Sequence, residues 1–170
     1  MTHLGHVLNK NFTDSNDITA QKGAFIGRVN FVLANFKCLI SKHQYRIFQS
    51  YCSSYYGSQL WKLDAKQLDT LCTSYNIALR KIFRLPYKTH RHIVYYLTGK
   101  SSLYDQFVDR SIHFLESCRQ CKNLVVQTLL RVNICNSKSI LGYNTITARL
   151  RNSSLSGDSG STEKADVGNL

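Results

Sequence analysis

The feature that most constrains the fold of this chain is the helical spacing of its apolar residues. Between residues 17 and 134 they recur three, four or seven positions apart in successive segments, which places them on one face of a helix. A helix that is apolar on one side buries that side against a neighbour. We therefore expect a mainly α fold, a bundle of about six helices. The predicted helices cover residues 17–37, 41–57, 64–85, 89–97, 101–118 and 123–134.

Capping residues and helix breakers mark the ends of these segments. Two pairs have the spacing of a capping box, which satisfies main-chain amides at a helix start: Ser41 with Gln44, and Asp64 with Gln67. The other predicted boundaries are a start at Ser101 or Ser102 and stops at Gly57, Pro86 and Gly99. Glycine ends a helix because it accepts positive φ, and proline ends one because it lacks the amide hydrogen.

The two ends of the chain differ in character from its middle. Residues 1–9 read as one short β-strand, for which the sequence offers no partner. Residues 152–170 contain too few apolar side chains to offset the entropy of ordering them, and a short helical piece, TITARLRN, precedes them. The predicted organisation is a strand segment at 1–16, a helical domain at 17–151 and a disordered tail at 152–170.

The charge balance indicates an anionic partner. The chain has 22 Lys and Arg against 10 Asp and Glu, a formal charge of +12, and residues 1–151 alone carry 21 against 7, or +14. Nucleic acid is the first candidate, because neutralising phosphates releases counterions and gives affinity without sequence selectivity. An anionic membrane surface is the second candidate.

The sequence carries neither a recognisable membrane span nor a secretion signal. Its apolar runs are far shorter than the roughly 20 residues needed to cross a bilayer. The N-terminus, MTHLGHVLNKNFTD, lacks a basic stretch followed by an apolar one. We expect an intracellular protein of the cytoplasm or nucleus, neither secreted nor transmembrane, with no membrane partner. In a reducing compartment its six cysteines are expected to be free thiols rather than a disulfide framework.

Residues 51–61, YCSSYYGSQLW, hold the only tryptophan of the chain and three of its ten tyrosines. Four residues in and before this stretch share one helical face, which favours a position in the bundle interior: Tyr45, Phe48, Cys52 and Tyr55. Gly57 then lets the chain leave the helix with positive φ, and Leu60 or Trp61 can fold back onto the core. The alternative is that exposed rings of Tyr51 or Tyr56 stack on nucleic-acid bases.

Clusters of catalytic or metal-binding side chains are not evident in the sequence. The seven acids of residues 1–151 never occur as adjacent pairs, although two-metal polymerase chemistry needs clustered carboxylates. One set could supply four zinc ligands, although its spacing on a continuous helix is awkward: His113, Cys118, Cys121 and Cys135. Buried or incidental thiols are the alternative reading of those cysteines. We therefore expect no cofactor, no metal and no catalytic residue.

Three short motifs follow one another along the middle of the chain. They are Tyr56-Gly57-Ser58-Gln59-Leu60-Trp61, Arg80-Lys81-Ile82 and Leu85-Pro86-Tyr87-Lys88-Thr89-His90. In order and spacing they resemble the region after the catalytic domain in reverse transcriptases of non-LTR (LINE-type, jockey-like) retrotransposons. The N-terminal HLGHVLNKNFTDSNDI resembles the hairpin by which these enzymes pass from palm to thumb, with His3 in place of the usual aromatic residue. The resemblance covers roughly residues 3–150.

The resemblance implies a thumb-like helical fragment without a palm. The catalytic Phe/Tyr-x-Asp-Asp turn of the family is missing, and the strand partner of residues 1–9 would lie in a palm upstream of Met1, so the chain looks truncated. In the family, thumb helices lie along the template–primer duplex and their basic residues meet phosphates. We therefore expect non-specific binding of RNA, DNA or their hybrid. The candidate binding residues are Arg80, Lys81, Arg84, Lys88, His90 and Arg91.

Other functions remain open at the level of sequence. The chain could belong to a polymerase whose upstream palm and fingers are missing here. It could instead be a helical module that binds another protein through an apolar groove, or a transposon remnant without a role. A solvated basic face that binds nothing is the simplest alternative to the phosphate-binding surface.

Overall fold

The computed structural model describes residues 2–3, 6–7, 14–63 and 66–135, and helices dominate them. The mainly α fold predicted from the apolar spacing is confirmed. The elements are β1 (Thr2–His3), β2 (His6–Val7), α1 (Ser15–Asn35), α2 (Ser41–Cys52), α3 (Lys66–Ile82), α4 (Arg91–Thr98), α5 (Leu103–Gln120) and α6 (Leu124–Cys135), with a 3-10 turn at Ser58–Leu60. The predicted cap at Asp64, the short helical piece TITARLRN and the predicted tail lie outside the described residues.

The single, unpartnered strand predicted for residues 1–9 is not what the described backbone shows. β1 and β2 have two residues each and pair with one another in antiparallel orientation, Thr2 opposite Val7 and His3 opposite His6. Antiparallel strands can be joined by as few as two residues, so a short segment can satisfy its own backbone groups. Each of these two short strands therefore has a partner within the segment.

The core begins where α1, α2 and α3 pack together. Phe25 of α1 lies at its centre, with ring centroids 6.0 Å from Phe48, 6.0 Å from Tyr55 and 6.1 Å from Tyr75. All four rings are buried. Aromatic pairs at these distances add about 0.5–1.5 kcal/mol each to the free energy gained from area burial. The predicted interior position of the residues that lead to Gly57 is confirmed.

A second set of ring contacts attaches α5 to this core. Phe107 of α5 is fully buried, and its centroid lies 5.2 Å from that of Tyr55 and 5.3 Å from that of Trp61, edge to face in both pairs. α5 also packs on the 3-10 turn and on α3. α4 packs on α3, and α6 packs on α5. The last two contacts leave α4 and α6 on the outside of the bundle.

The helix boundaries show one confirmed cap and one wrong one. Ser102 caps α5, because its hydroxyl accepts from the amide of Asp105 at 3.1 Å and donates to the Asp105 carboxylate at 2.7 Å. Ser41 is not a cap: it is the first residue of α2, and Ile40 before it is the extended N-cap. The Ile40 carbonyl accepts from the amide of Gln44 at 3.1 Å, so Ser41 is already helical and cannot use its hydroxyl as a cap. The predicted positive φ at Gly57 is confirmed at 76°, but the helix stop predicted there is wrong, because α2 already ends at Cys52. Gly99 closes α4 as predicted and is its C-cap, with φ 61°.

Candidate nucleic-acid interface

Helix α3 ends in a turn that carries most of the predicted phosphate-binding residues. The amide of Leu85 donates to the carbonyl of Arg80 at 2.8 Å, and the amide of Arg84 donates to the carbonyl of Lys81 at 3.1 Å. This pair of bonds is a Schellman motif, in which the residue past the helix end adopts a left-handed conformation. That residue is Arg84, with φ 54°, where glycine is usual. Pro86 follows and prevents the helix from continuing.

The Arg84 side chain compensates for this backbone conformation. Its Nη2 donates to the carbonyl of Lys37 at 2.9 Å and reaches the carbonyl of Leu39 at 3.5 Å, both in the turn between α1 and α2. A left-handed conformation costs a residue with a side chain roughly 1–2 kcal/mol. Hydrogen bonds contribute about 1 kcal/mol each. The two effects are of similar size, and the contact attaches the end of α3 to the α1–α2 turn.

Arg80 makes a second link between α3 and the residues that follow it. Its Nε donates to the carbonyl of Thr89 at 3.0 Å, and its side chain is half-buried. The amide of Thr89 in turn donates to the carbonyl of Pro86 at 3.0 Å. His90 starts α4 as its extended N-cap, and Leu85 packs against the core. The turn between α3 and α4 is therefore held from both ends.

The remaining residues predicted to bind phosphate are exposed on this turn and at the helix ends beside it. Lys81, Lys88, His90 and Arg91 are all exposed, and Arg84 is exposed while it contacts the α1–α2 turn. The sequence between Asp69 and Asp105 has six Lys and Arg and no carboxylate, so it supplies no neutralising charge of its own. We call the exposed residues Lys81, Lys88 and Arg91 the basic surface.

Two tyrosines, one in the turn and one in α4, are strongly exposed, and the sequence pattern did not single them out as exposed. Tyr87 lies beside Lys88 in the turn with 76 % of its side chain exposed. Tyr96 of α4 is 87 % exposed, on the side of the helix away from the buried Val94. The exposure of Tyr96 was not predictable from the sequence, because an aromatic residue in a helix more often faces the core. Exposed rings beside lysines can stack on bases while the lysines contact phosphates.

Three residues of the Tyr-Gly-Ser-x-Leu-Trp motif are buried in the core: Gly57, Ser58 and Trp61. Trp61 is 1 % exposed, and its indole N–H donates to the carboxylate of Asp17 at 2.8 Å. Ser58 is buried, and its hydroxyl accepts from Nη1 of Arg110 at 3.1 Å. Gly57 is also buried, and its φ of 76° is one that other residues rarely adopt. The exposed members of the motif are Tyr56 and Leu60. Of the two residues expected to fold back, the structure buries the tryptophan.

The start of α1 holds this motif through two carboxylates. Besides the bond between Asp17 and Trp61, the Asp14 carboxylate accepts from the amide of Lys62 at 2.8 Å. These contacts join residues 44 and 48 positions apart. Helical spacing relates residues three or four positions apart, so it could not predict these two hydrogen bonds.

Tyr51, the first candidate for base stacking, is exposed as predicted. Its ring lies 5.8 Å from that of Phe31, and both side chains are about half exposed, at 49 % and 50 %. With Phe36 and Ile47 they line an apolar groove of about 360 Å³ between α1 and α2. Tyr56, the second candidate, is 62 % exposed. Stacking on bases stays a prediction for both.

The cysteines of the described residues are free thiols, as predicted: Cys38, Cys52, Cys72, Cys118 and Cys121. Burial raises the pKa of Cys52 to about 11 and that of Cys72 to about 12, which keeps both thiols protonated at neutral pH. Nδ1 of His113 lies 3.7 Å from the Glu116 carboxylate. Among the described residues, no group of three or more His, Cys, Asp or Glu is placed to hold a metal ion. The Cys135 side chain lies outside the described part.

Comparisons of the chain with protein-family models, curated proteins and solved structures gave no match. The retrotransposon resemblance therefore stays a prediction from the motifs. Within the described residues, no helix combines the length and the apolar character needed to cross a membrane.

Proposed function

We propose that the chain is a non-catalytic, thumb-like fragment of a LINE-type RNA-directed DNA polymerase that binds the backbone of RNA, DNA or their hybrid without sequence selectivity. The observation that carries this proposal is the basic surface. Lys81, Lys88 and Arg91 are exposed at the end of α3, in the turn and at the start of α4, within a stretch that contains no carboxylate.

The chemistry of these residues suits phosphates rather than base edges. A lysine ammonium is a mobile point charge, which meets a phosphate oxygen from many directions and reads no base. Two of the six candidates have a different main role, because Arg80 and Arg84 donate to main-chain carbonyls. A guanidinium has five N–H donors, so the exposed Arg84 retains donors for a phosphate after these contacts.

Single-stranded nucleic acid could make one contact here that a duplex could not, which is stacking of a base on an exposed tyrosine ring. Tyr87 is exposed next to Lys88 in the turn, and stacking of one base on such a ring contributes about 1–3 kcal/mol without sequence selectivity. A duplex offers phosphates but no free base faces. The proposal therefore includes tighter binding of a single strand or of a hybrid with a single-stranded overhang than of a blunt duplex.

The test is a charge reversal that spares the structural arginines. Lys81→Glu with Lys88→Glu is compared with Lys66→Glu and Lys122→Glu, two exposed lysines outside the basic surface with the same change in net charge. Binding to a fluorescein-labelled RNA–DNA hybrid is followed by fluorescence anisotropy at several salt concentrations. The first pair is expected to lower the log–log salt slope by about one unit for each phosphate that the variant no longer neutralises. Equal effects of the two pairs would leave only net charge as the cause.

Membership of a larger polymerase has its own test. Sequencing the transcript upstream of Met1 is expected to find an open, in-frame palm with paired aspartates. A stop codon or a true 5′ end before Met1 would contradict that part of the proposal. The proposed binding of nucleic acid would then stand by itself.

A helical protein-interaction module is the second candidate, and the outer face of α6 favours it. Leu124, Val125, Leu129 and Val132 are each more than half exposed, at 76, 64, 56 and 65 %, whereas Leu130 of the same helix is buried. Contiguous exposed apolar side chains mark interaction sites in soluble proteins. Sedimentation velocity of the wild type and of Val125→Asp tests it, because a self-association that the aspartate abolishes would favour this module.

A further inference from the structure

A polar pocket of about 320 Å³ lies between the C-terminal end of α2 and the middle of α5. Gln49 and Ser53 line it from α2 and the residue after it, Gln106 and Arg110 line it from α5, and Lys100 lines it from the turn before α5. Gln106 and Arg110 are four residues apart and so share one face of their helix. Lys100 is exposed, so the pocket is reached from solvent.

The charged side chains that line this pocket are both positive. Arg110 and Lys100 contribute positive charges, and among the described residues that line the pocket there is no carboxylate. The buried hydroxyl of Ser53 has no hydrogen-bond partner within the described part of the chain. A buried hydroxyl without a partner is unfavourable, and a bound acceptor would satisfy it.

Arg110 is held in a fixed orientation at the wall of the pocket. Its Nη1 donates to the hydroxyl of Ser58 at 3.1 Å, and its Nη2 lies 3.4 Å from the carbonyl of Ser53. The guanidinium carbon lies 5.8 Å from the ring centroid of Tyr55 and 5.9 Å from that of Phe107. A ligand that contacts this group does not have to order it, so little side-chain entropy is lost on binding.

We propose that this pocket binds a phosphate group. Arg110 and Lys100 would supply the positive charge, and the Ser53 hydroxyl would donate a hydrogen bond to a phosphate oxygen.

The pocket is separate from the basic surface. Arg84, beside that surface, contacts the turn before α2, whereas Gln49 and Ser53 lie at the other end of α2. A helix of this length spans about 18 Å. The pocket proposal therefore does not depend on the proposed binding of nucleic acid by Lys81, Lys88 and Arg91.

The test is a titration of ¹⁵N-labelled full-length chain with inorganic phosphate at constant ionic strength, followed by amide chemical shifts. Saturable shifts are expected at Ser53, Lys100 and Gln106. Lys100→Gln is expected to weaken binding about three- to tenfold, whereas Lys122→Gln, the same change at an exposed lysine in the turn after α5, is expected to leave it unchanged. Lys100 is preferred to Arg110 for substitution, because Arg110 also contacts the end of α2.

Two results would overturn the proposal. One is the absence of a saturable shift, and the other is an equal affinity for phosphate in the wild type and in Lys100→Gln. The Lys81→Glu with Lys88→Glu variant is expected to keep the phosphate titration of the wild type. Failure of the nucleic-acid proposal and failure of the pocket are thereby distinguished.

The source of the phosphate is distinguished with one oligonucleotide in two forms, bearing a 5′-phosphate or a 5′-hydroxyl. A preference for the phosphorylated form that Lys100→Gln abolishes identifies a terminal monoester. Equal binding of both forms by the wild type, weakened equally by Lys100→Gln, identifies an internal diester. Binding of both forms that Lys100→Gln does not change would overturn a nucleic-acid source.

Discussion

Replacement of Trp61 by phenylalanine separates the hydrogen bond of this residue from its burial. The substitution keeps a ring in the contact with Tyr55 and Phe107 but removes the N–H that donates to Asp17 at 2.8 Å. A hydrogen bond to a charged group contributes about 1.5–3 kcal/mol, and the smaller ring costs about 1 kcal/mol of packing. We expect the free energy of unfolding to fall by about 2.5–4 kcal/mol.

The phenylalanine variant is more informative than alanine. Trp61→Ala would lose about 3–5 kcal/mol of packing in addition to the bond, close to the total stability of many domains of this size. Asp17→Asn keeps an acceptor oxygen facing the indole, and we expect it to cost about 0.5–1.5 kcal/mol. Because these two side chains contact one another, the double variant should recover about 1 kcal/mol relative to the sum of the single costs.

The assay is urea unfolding followed by far-UV circular dichroism, because the variant lacks the only tryptophan of the chain. Tyr96→Phe, at a side chain that is 87 % exposed, is the control and should stay within about 0.5 kcal/mol of the wild type. A cost below about 1 kcal/mol for Trp61→Phe, or strict additivity with Asp17→Asn, would refute the role assigned to this bond.

Three further predictions concern a helix cap, a glycine within a helix and two buried thiols. Ser102→Ala should lower the free energy of unfolding by about 1 kcal/mol through loss of the α5 cap, and Ser101→Ala by less, as urea unfolding would show. Gly27→Ala should raise it by about 0.5–1 kcal/mol in the same assay, because the added Cβ meets no atom within 4 Å in mid-helix. Burial raises the pKa of Cys52 from 9.0 to about 11 and that of Cys72 to about 12. Since the unfolded thiols ionise first, stability should be complete below pH 9 and fall as the pH rises through 11, whereas a flat profile of melting temperature across that range would contradict this.

The helices could be predicted from the sequence because their apolar residues follow a local period. In α1, for example, Ile18, Phe25, Val29 and Val32 follow the three-, four- and seven-residue spacing, and all four are buried. The prediction that Ser41 caps α2 was wrong, because the capping-box pattern specifies the types of two side chains near a helix start but not the backbone conformation there. Whether the preceding residue supplies the cap instead depends on its backbone, and Ile40 is extended here.

The candidate site could be predicted only in part. The placement of Lys81, Lys88 and Arg91 on adjoining elements was visible from the sequence, because they lie within 11 consecutive residues. The hydrogen bond from Arg84 to the carbonyl of Lys37 could not be predicted from the sequence, since the two residues are 47 positions apart. The polar pocket was also beyond local patterns, because Lys100 and Ser53, which both line it, are 47 positions apart in the sequence.

The contact between Trp61 and Asp17 also bears on the order in which the chain folds. Helical hydrogen bonds join residues four apart, whereas this bond joins residues 44 apart and the bond from Lys62 to Asp14 joins residues 48 apart. Closing such long loops costs entropy before any contact offsets it, so we expect these bonds to form after the rate-limiting step. Their loss would then accelerate unfolding and leave the folding rate nearly unchanged. The contacts from Asp14 and Asp17 to residues 61 and 62 are therefore expected to determine how long the native state lasts more than how fast it forms.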